Sequence, residues 1–358
     1  MNMKFATLIA LAATTATAQT CDRACLEGMV DQYMEALIAH KQGTLPLAQR
    51  VKNTEDGVRL EIGDGFWRTA MGKGTYRLFN TDAESGQVVF QGTMREASRT
   101  GQGPVIVMIR LKVANRQITE IENFVVRDPA AAQVLENRGQ PDQLFKTEIP
   151  ATQRATRAAL IQTANAYFSG IEKNNGKGNY PLADDCVRLQ NGTQTTNNAE
   201  AVRAFTPAGR GGPGAAKGPP APKGKAKGKA APEPAPEPVV FNIFALSCTE
   251  QFKSGYYNFV TRVRDRRFVA VDRERGLVTA ILAMDQPSGK YRNFKMADGK
   301  DMTAGPEKPS TLAVAETFKI EGGKIRRVDA VQLNVPYGMV MGWSSWEDGM
   351  SSKAQDAK

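Results

Sequence analysis

The sequence predicts an α+β protein made of two tandem copies of one unit, each a long amphipathic helix followed by a curved antiparallel sheet. Three observations carry this. The pattern Arg77-x4-Asp82-x-Glu84-x-Gly86 returns as Arg267-x4-Asp272-x-Glu274-x-Gly276. A helical stripe, Leu26, Val30, Tyr33, Met34 and Leu37, returns as Leu160, Ala164, Tyr167, Phe168 and Ile171, and separations of three, four and seven residues keep such a stripe on one face. In each copy the pattern is followed by β-rich runs that end in a short polar hairpin.

The chain begins with Lys4, an apolar run from Phe5 to Ala13, and Ala16-Thr17-Ala18. That order of charge, apolar core and small residues is that of a secretory signal peptide, so residues 1–18 are expected to be removed before Gln19. Cys21 follows Gln19 and Thr20, so lipidation is not expected. No later run reaches the roughly 18 apolar residues that a membrane span needs. The mature protein is therefore read as exported, periplasmic or extracellular.

In the first copy, residues 19–127, the helix ends near Leu45-Pro-Leu-Ala and a polar turn follows at Asp56-Gly57. The second copy, residues 151–346, repeats these as Tyr180-Pro-Leu-Ala and Asn191-Gly192. Gly65-Phe66-Trp67 then matches Gly255-Tyr256-Tyr257, with 55 more residues on the way in the second copy. Most of that excess, about 199–240, is low in apolar bulk and rich in Gly, Pro, Ala and Lys, and is expected to be disordered. Gln87–Thr93 and Leu277–Leu282 read as strands after glycine-closed turns, and Ala114-Asn115-Arg116 and Glu321-Gly322-Gly323 join the last two strands of each copy. A further 17 residues of the second copy are placed around 286–310. Residues 128–150 form the connection, with a short helix from Ala130 to Asn137, and 347–358 a disordered tail.

Four cysteines in an oxidising compartment allow three pairings. Cys21 and Cys25, one helical turn apart, are within disulfide reach, which leaves Cys186 to close on Cys248 across the insertion. Zinc is the competing use of four thiols, but there is no C-x2-C pair and His40 is the only histidine, so no metal is expected. The formal charge of +10 is partly local: Arg210, Lys217, Lys223, Lys225, Lys227 and Lys229 face only Glu233 and Glu237 between 208 and 238. Specific nucleic-acid binding is not expected. Weak contact of this segment with anionic polymers is one reading of it, a solvated spacer the other.

Phe318-Lys-Ile-Glu-Gly-Gly-Lys-Ile-Arg-Arg-Val-Asp-Ala, and in weaker form Leu111–Glu122, make the final hairpin similar to that of the NTF2-like, or SnoaL-like, cone fold. The mature chain as a whole resembles an uncharacterised family of exported bacterial and fungal proteins built as an NTF2-like tandem. The residues that carry this are Cys21-x3-Cys25-Leu26, Gly63-Asp-Gly-Phe-Trp67, Asp272-x-Glu274-x-Gly276-Leu-Val, and Pro336-Tyr-Gly-Met339 followed by Trp343. The resemblance implies an apolar pocket at the open end of each sheet. It leaves activity open, because the fold hosts dehydratases, isomerases, cyclases and binding modules.

Candidate site residues follow from that geometry. Glu122 and Asp329 stand four residues past Ile118 and Ile325. Strand alternation would place acid and isoleucine on one concave face, where desolvation tunes a carboxylate for acid/base work; the bland alternative turns the acids outward. Tyr33, Trp67, Tyr167 and Tyr257 recur in matched pairs as candidate ligand-contacting rings, with Tyr337 and Trp343 past the last strand as a lip or plug. Asp82, Glu84, Asp272 and Glu274 read as turn formers, with Arg77 and Arg267 pairing across the hairpins. The absence of a second histidine, a Gly-x-Ser-x-Gly elbow or a phosphate loop sets nucleophilic and nucleotide chemistry aside. The sequence thus favours binding of a small apolar or aromatic molecule, with no cofactor. A cofactor-free lyase, isomerase or dehydratase using carboxylate and tyrosine is the alternative, and a cell-envelope interaction protein using the basic insertion the third reading.

Overall fold

The computed structural model describes residues 20–201 and 241–357; residues 1–18, read above as a signal peptide, and nearly all of the insertion lie outside them. The chain is α+β, with two large sheets and few helices. Helix α1 (Arg23–Ile38) is capped by Asp22, whose side chain accepts from the Cys25 N–H, and α3 (Arg157–Glu172) by Thr156, accepting from Ala159. Strands β1 (Leu47–Glu55), β2 (Val58–Arg59), β3 (Ala70–Asp82), β4 (Gln87–Ser98), β5 (Gly101–Ala114) and β6 (Gln117–Val126) form one sheet in the order β2-β1-β6-β5-β4-β3. The second half gives β7 (Leu182–Gln190), β8 (Thr193–Gln194), β9 (Arg262–Asp272), β10 (Leu277–Gln286), β13 (Ser310–Glu321) and β14 (Lys324–Val335). Its order, β9-β10-β13-β14-β7-β8, is the same path. The extra residues between β10 and β13 form a small hairpin of β11 (Asn293–Lys295) and β12 (Asp301–Thr303).

The sheets are not wholly antiparallel as expected. β1 runs parallel to β6, and β7 to β14, because each half's first strand leaves the helix and lies beside the last strand, with the three long strands between serving as the crossover that a parallel pair needs. The final hairpins turn at Asn115 and Arg116, with φ of 51° and 59°, and at Gly322 and Gly323, with φ of 56° and 73°, the geometry of a two-residue primed turn.

Three apolar clusters set the layering. One packs α1 on its sheet through Leu26, Val30, Tyr33 and Leu37 against Val107, Ile109, Ile121 and Val125. A second packs α3 on the other sheet. The third lies between the sheets, where Leu78, Val89, Met108 and Phe124 meet Val269, Ile281, Ala315 and Val331. The result is helix, sheet, sheet, helix. The connection forms α2 (Pro129–Arg138), capped by Asp128 and ended by Gly139, and buries Ala132 and Leu135 in this third core.

The repeated turn pattern explains itself here. Asp82 accepts from the Ser85 N–H, and Asp272 from Glu274 and Arg275. A Cβ on Gly86 would stand 2.4 Å from the Val113 carbonyl oxygen and one on Gly276 2.3 Å from that of Ile320, so only glycine fits. Each turn is also latched by the opposite half: Arg157 at the start of α3 binds Asp82 at 2.5 Å, and Arg23 at the start of α1 binds Asp272 at 2.6 Å. Arg77 and Arg267 do not pair across their hairpins. Arg77 reaches Asp31 on α1, and Arg267 crosses to Glu122 in the other half.

The tail is ordered, against expectation. After α5 (Trp346–Gly349), residues Ala354–Asp356 form β15, parallel to β9. Asp356 pairs with Arg157, and the Ala357 carbonyl accepts from Gln87. The free edge of β9 supplies unpaired backbone groups that a composition-based reading of a polar tail does not see. The disulfides are Cys21–Cys25 and Cys186–Cys248.

Candidate functional site

Glu122 and Asp329 are not in a pocket. A bulge between Lys112 and Val113, and its counterpart between Lys319 and Ile320, slip the ladder by one residue just after Ile118 and Ile325, and one residue of slip exchanges the faces of every later side chain. Ile118 and Ile325 therefore point to the helices, and both acids point into the contact between the sheets. Glu122, fully buried, is held by Arg267 at 2.7 Å and Arg110 at 3.0 Å. Burial alone would raise its pKa, but the two guanidiniums outweigh it and hold the carboxyl below its usual range. Asp329 accepts from the Tyr76 hydroxyl, and burial pushes it up to about 6. Trp343 covers the Arg110–Glu122–Arg267 cluster: Lys52, Arg110 and Arg267 lie over its ring, and its Nε1 donates to Thr54 at 3.0 Å. It is a plug over an internal ion cluster. Tyr337 is exposed.

Tyr33 and Trp67 are packed edge to face, centroids 5.4 Å apart, and buried. Asn123 donates to the Tyr33 hydroxyl. The open end of this half is shut by Arg127, which binds Glu55 and Glu96 at 2.9 Å each and Asp56 at 3.5 Å, while Glu55 also takes the Phe66 N–H. Both rings belong to the apolar core, and Trp67 also borders an open groove of about 520 Å³ whose other walls are mostly polar, among them His40, Gln42, Glu61, Asp64 and Arg68.

The second half is different. A cavity of about 550 Å³ opens between α3, the concave face of its sheet and the segments flanking the insertion. Tyr167 and Tyr257, both expected at such a site, line it, joined by Arg188 of β7, Glu316 of β13, and Phe244, Tyr256 and Phe259. The Tyr167 hydroxyl donates to Glu316 Oε1 at 2.8 Å. Arg188 donates through Nη1 to the Tyr257 hydroxyl at 2.7 Å and to Gln251 Oε1 at 2.5 Å. Gln251 is in turn fixed by the carbonyls of Thr195 and Ile243. Its helix, α4 (Cys248–Ser254), is closed by a capping box of Ser247 and Glu250 and tied to β7 by the Cys186–Cys248 bond. The base of the insertion thus builds the wall of the cavity.

Two polar atoms there lack partners: Glu316 Oε2 and Arg188 Nε are buried and make no hydrogen bond. Burial, only partly offset by Arg188 and Tyr167, pushes the Glu316 carboxyl up to about 7, and Tyr167 is raised well above the usual phenol range, chiefly by burial. A carboxyl raised toward neutrality, a phenol and a guanidinium around one apolar hollow can bind a polar group on a ring system or exchange a proton with it. Among the described residues no cluster of His, Cys, Asp or Glu is placed to hold a metal, and no helix is long and apolar enough to cross a membrane.

Glu316 and Arg188 escaped sequence reasoning. The ladder registers pair them with Ile109 and Asn53 of the first half. A lone acid in the apolar run Ala313–Phe318, where the other copy carries isoleucine, was the available signal.

The sequence model of the family described as "Domain of unknown function (DUF8021)" matches residues 153–332. That span holds Tyr167, Arg188, Gln251, Tyr257 and Glu316. No curated protein matches the chain.

Proposed function

The chain belongs to the DUF8021 family, whose description assigns no activity, and from the chain's own cavity we propose that it is an exported protein binding a small apolar or aromatic molecule in its second half. Each half is read as an NTF2-like cone, the first filled and structural, the second functional. The observation that carries this is the aromatic hollow with Arg188 and Glu316 at its floor, where the first half has packed side chains and a closed ion cluster. The two disulfides and the signal-peptide pattern of residues 1–18 support export. Native mass spectrometry of the protein secreted by its own host tests the reading: a small molecule is expected to co-purify and to be lost in a Tyr257→Ala variant. A ligand retained by that variant, or bound elsewhere, would remove it.

One observation favours an enzyme as the second reading: Glu316 has an unpartnered oxygen and titrates near neutrality, as a general base or acid should. Glu316 then takes the role first assigned to Glu122 and Asp329, with Tyr167 as its partner. Turnover of a bound molecule that stops in Glu316→Gln while binding persists would select this reading; binding without turnover selects the first.

A further inference from the structure

Arg188 is 2% exposed, yet no carboxylate among the described residues lies within ion-pair distance of it. Its hydrogen bonds go to neutral groups, Gln251 and Tyr257, and its Nε has none. A guanidinium stays charged whatever its burial, and a buried charge with no carboxylate in ion-pair contact is costly; Glu316, on the same floor, acts on it only through space. The rings of Tyr167, Phe252 and Tyr257, with centroids 5.5–5.6 Å from it, offset only part of that.

The walls change in the same sense. Glu55, Asp56 and Glu96 of the first half correspond by register to Gln190, Asn191 and Gln286, and Arg127 to Asn334, all four of which line the cavity. Three carboxylates have become neutral amides around an unpaired cation. Only Asp128 at the rim and Glu316 on the floor remain as acids.

We infer that this cavity takes an anion: an aromatic or apolar molecule bearing one carboxylate, which Arg188 neutralises with the Tyr257 hydroxyl beside it, while the ring lies among Tyr256, Tyr257 and Phe259. The inference rests on the cavity being a binding site and adds the charge of what it binds. Isothermal titration of the mature, full-length protein with 2-naphthoate and with its neutral isostere 2-naphthamide tests it. The carboxylate is expected to bind about tenfold or more tighter, the effect of one charged hydrogen-bonding partner. Arg188→Gln should erase the difference and Arg188→Lys should keep part of it, with melting curves showing that each variant is folded. Equal binding of both probes by the unaltered protein overturns the inference and leaves the cavity reading standing. Preference for the carboxylate that survives in a folded Arg188→Gln variant overturns the assignment to Arg188. A protein that takes neither probe overturns the binding reading itself.

Discussion

The two halves follow the same strand order and share their turn geometry, yet the space between helix and sheet is filled in one and hollow in the other. Position by position, Tyr33 and Tyr167 occupy the same place on their helices, and Trp67 and Tyr257 the same place after them. The difference lies in what surrounds these pairs. In the first half Ile109 joins the apolar core, Asn53 is buried and donates to the Leu60 carbonyl, and Arg127 draws Glu55, Asp56 and Glu96 together across the opening. In the second half Glu316, Arg188 and four amides take those places and leave about 550 Å³. A repeated unit can thus keep its fold in both copies while only one leaves a cavity under its helix, because the backbone path depends on turns and strand patterning, whereas a cavity depends on a handful of side chains.

The largest expected effect lies where the halves meet. Glu122→Ala leaves Arg110 and Arg267 buried without their common counter-charge, and should cost about 3–5 kcal/mol in denaturant unfolding. A single cooperative transition is expected for both halves, since the third core is shared; two separated transitions would show the halves to be independent. Next, Trp67→Ala in the packed half should cost about 3–5 kcal/mol, whereas Tyr257→Ala, beside existing empty space, should cost about half as much or less. Equal losses would mean that the hollow is not there in solution.

Acids on the two sides should respond to pH in opposite directions. Glu122, held below its usual range, contributes stability above its unfolded pKa that is lost as pH falls through the folded value. Glu316 is raised to about 7, so the folded state binds its proton more tightly than the unfolded chain, and stability falls as pH rises from about 4.5 through 7. Glu316→Gln removes that penalty. It should gain stability on the order of 3 kcal/mol at pH 8 and almost nothing at pH 5, read from paired melts; a loss at pH 8 would show that the ionised carboxylate is stabilising. The smallest effect concerns the crossed latches. Arg157, buried against Asp82, should cost about 1–3 kcal/mol when changed to Ala, and the more exposed Arg23 about 1 kcal/mol or less.

Much of the architecture was legible because it rests on local rules. Helix caps, glycine-closed turns and hairpins declare themselves within a few residues, and a repeat supplies each of them twice, which is why the helices, the long strands, the site of the extra hairpin and the pairing of the cysteines could be read. The face of Glu122 and Asp329 stayed between two readings, and the structure takes the one that turns both acids away from the helix, with Ile121, Val125 and Val328 toward it. The choice turns on a bulge of one residue, and alternation counts past a bulge without noticing it. The ordered tail was equally hidden, since Ala354–Asp356 is a strand only because β9 offers it an edge.

The sequence by itself determined the doubled α+β unit, the two disulfides and the aromatic pair inside each copy, because periodicity and turn chemistry act over short distances along the chain. Tertiary structure alone decided which pair is core and which lines a cavity. That outcome depends on Glu316 and Arg188, 128 positions apart in the chain, lining one cavity, and on their counterparts in the other half being an isoleucine and an asparagine.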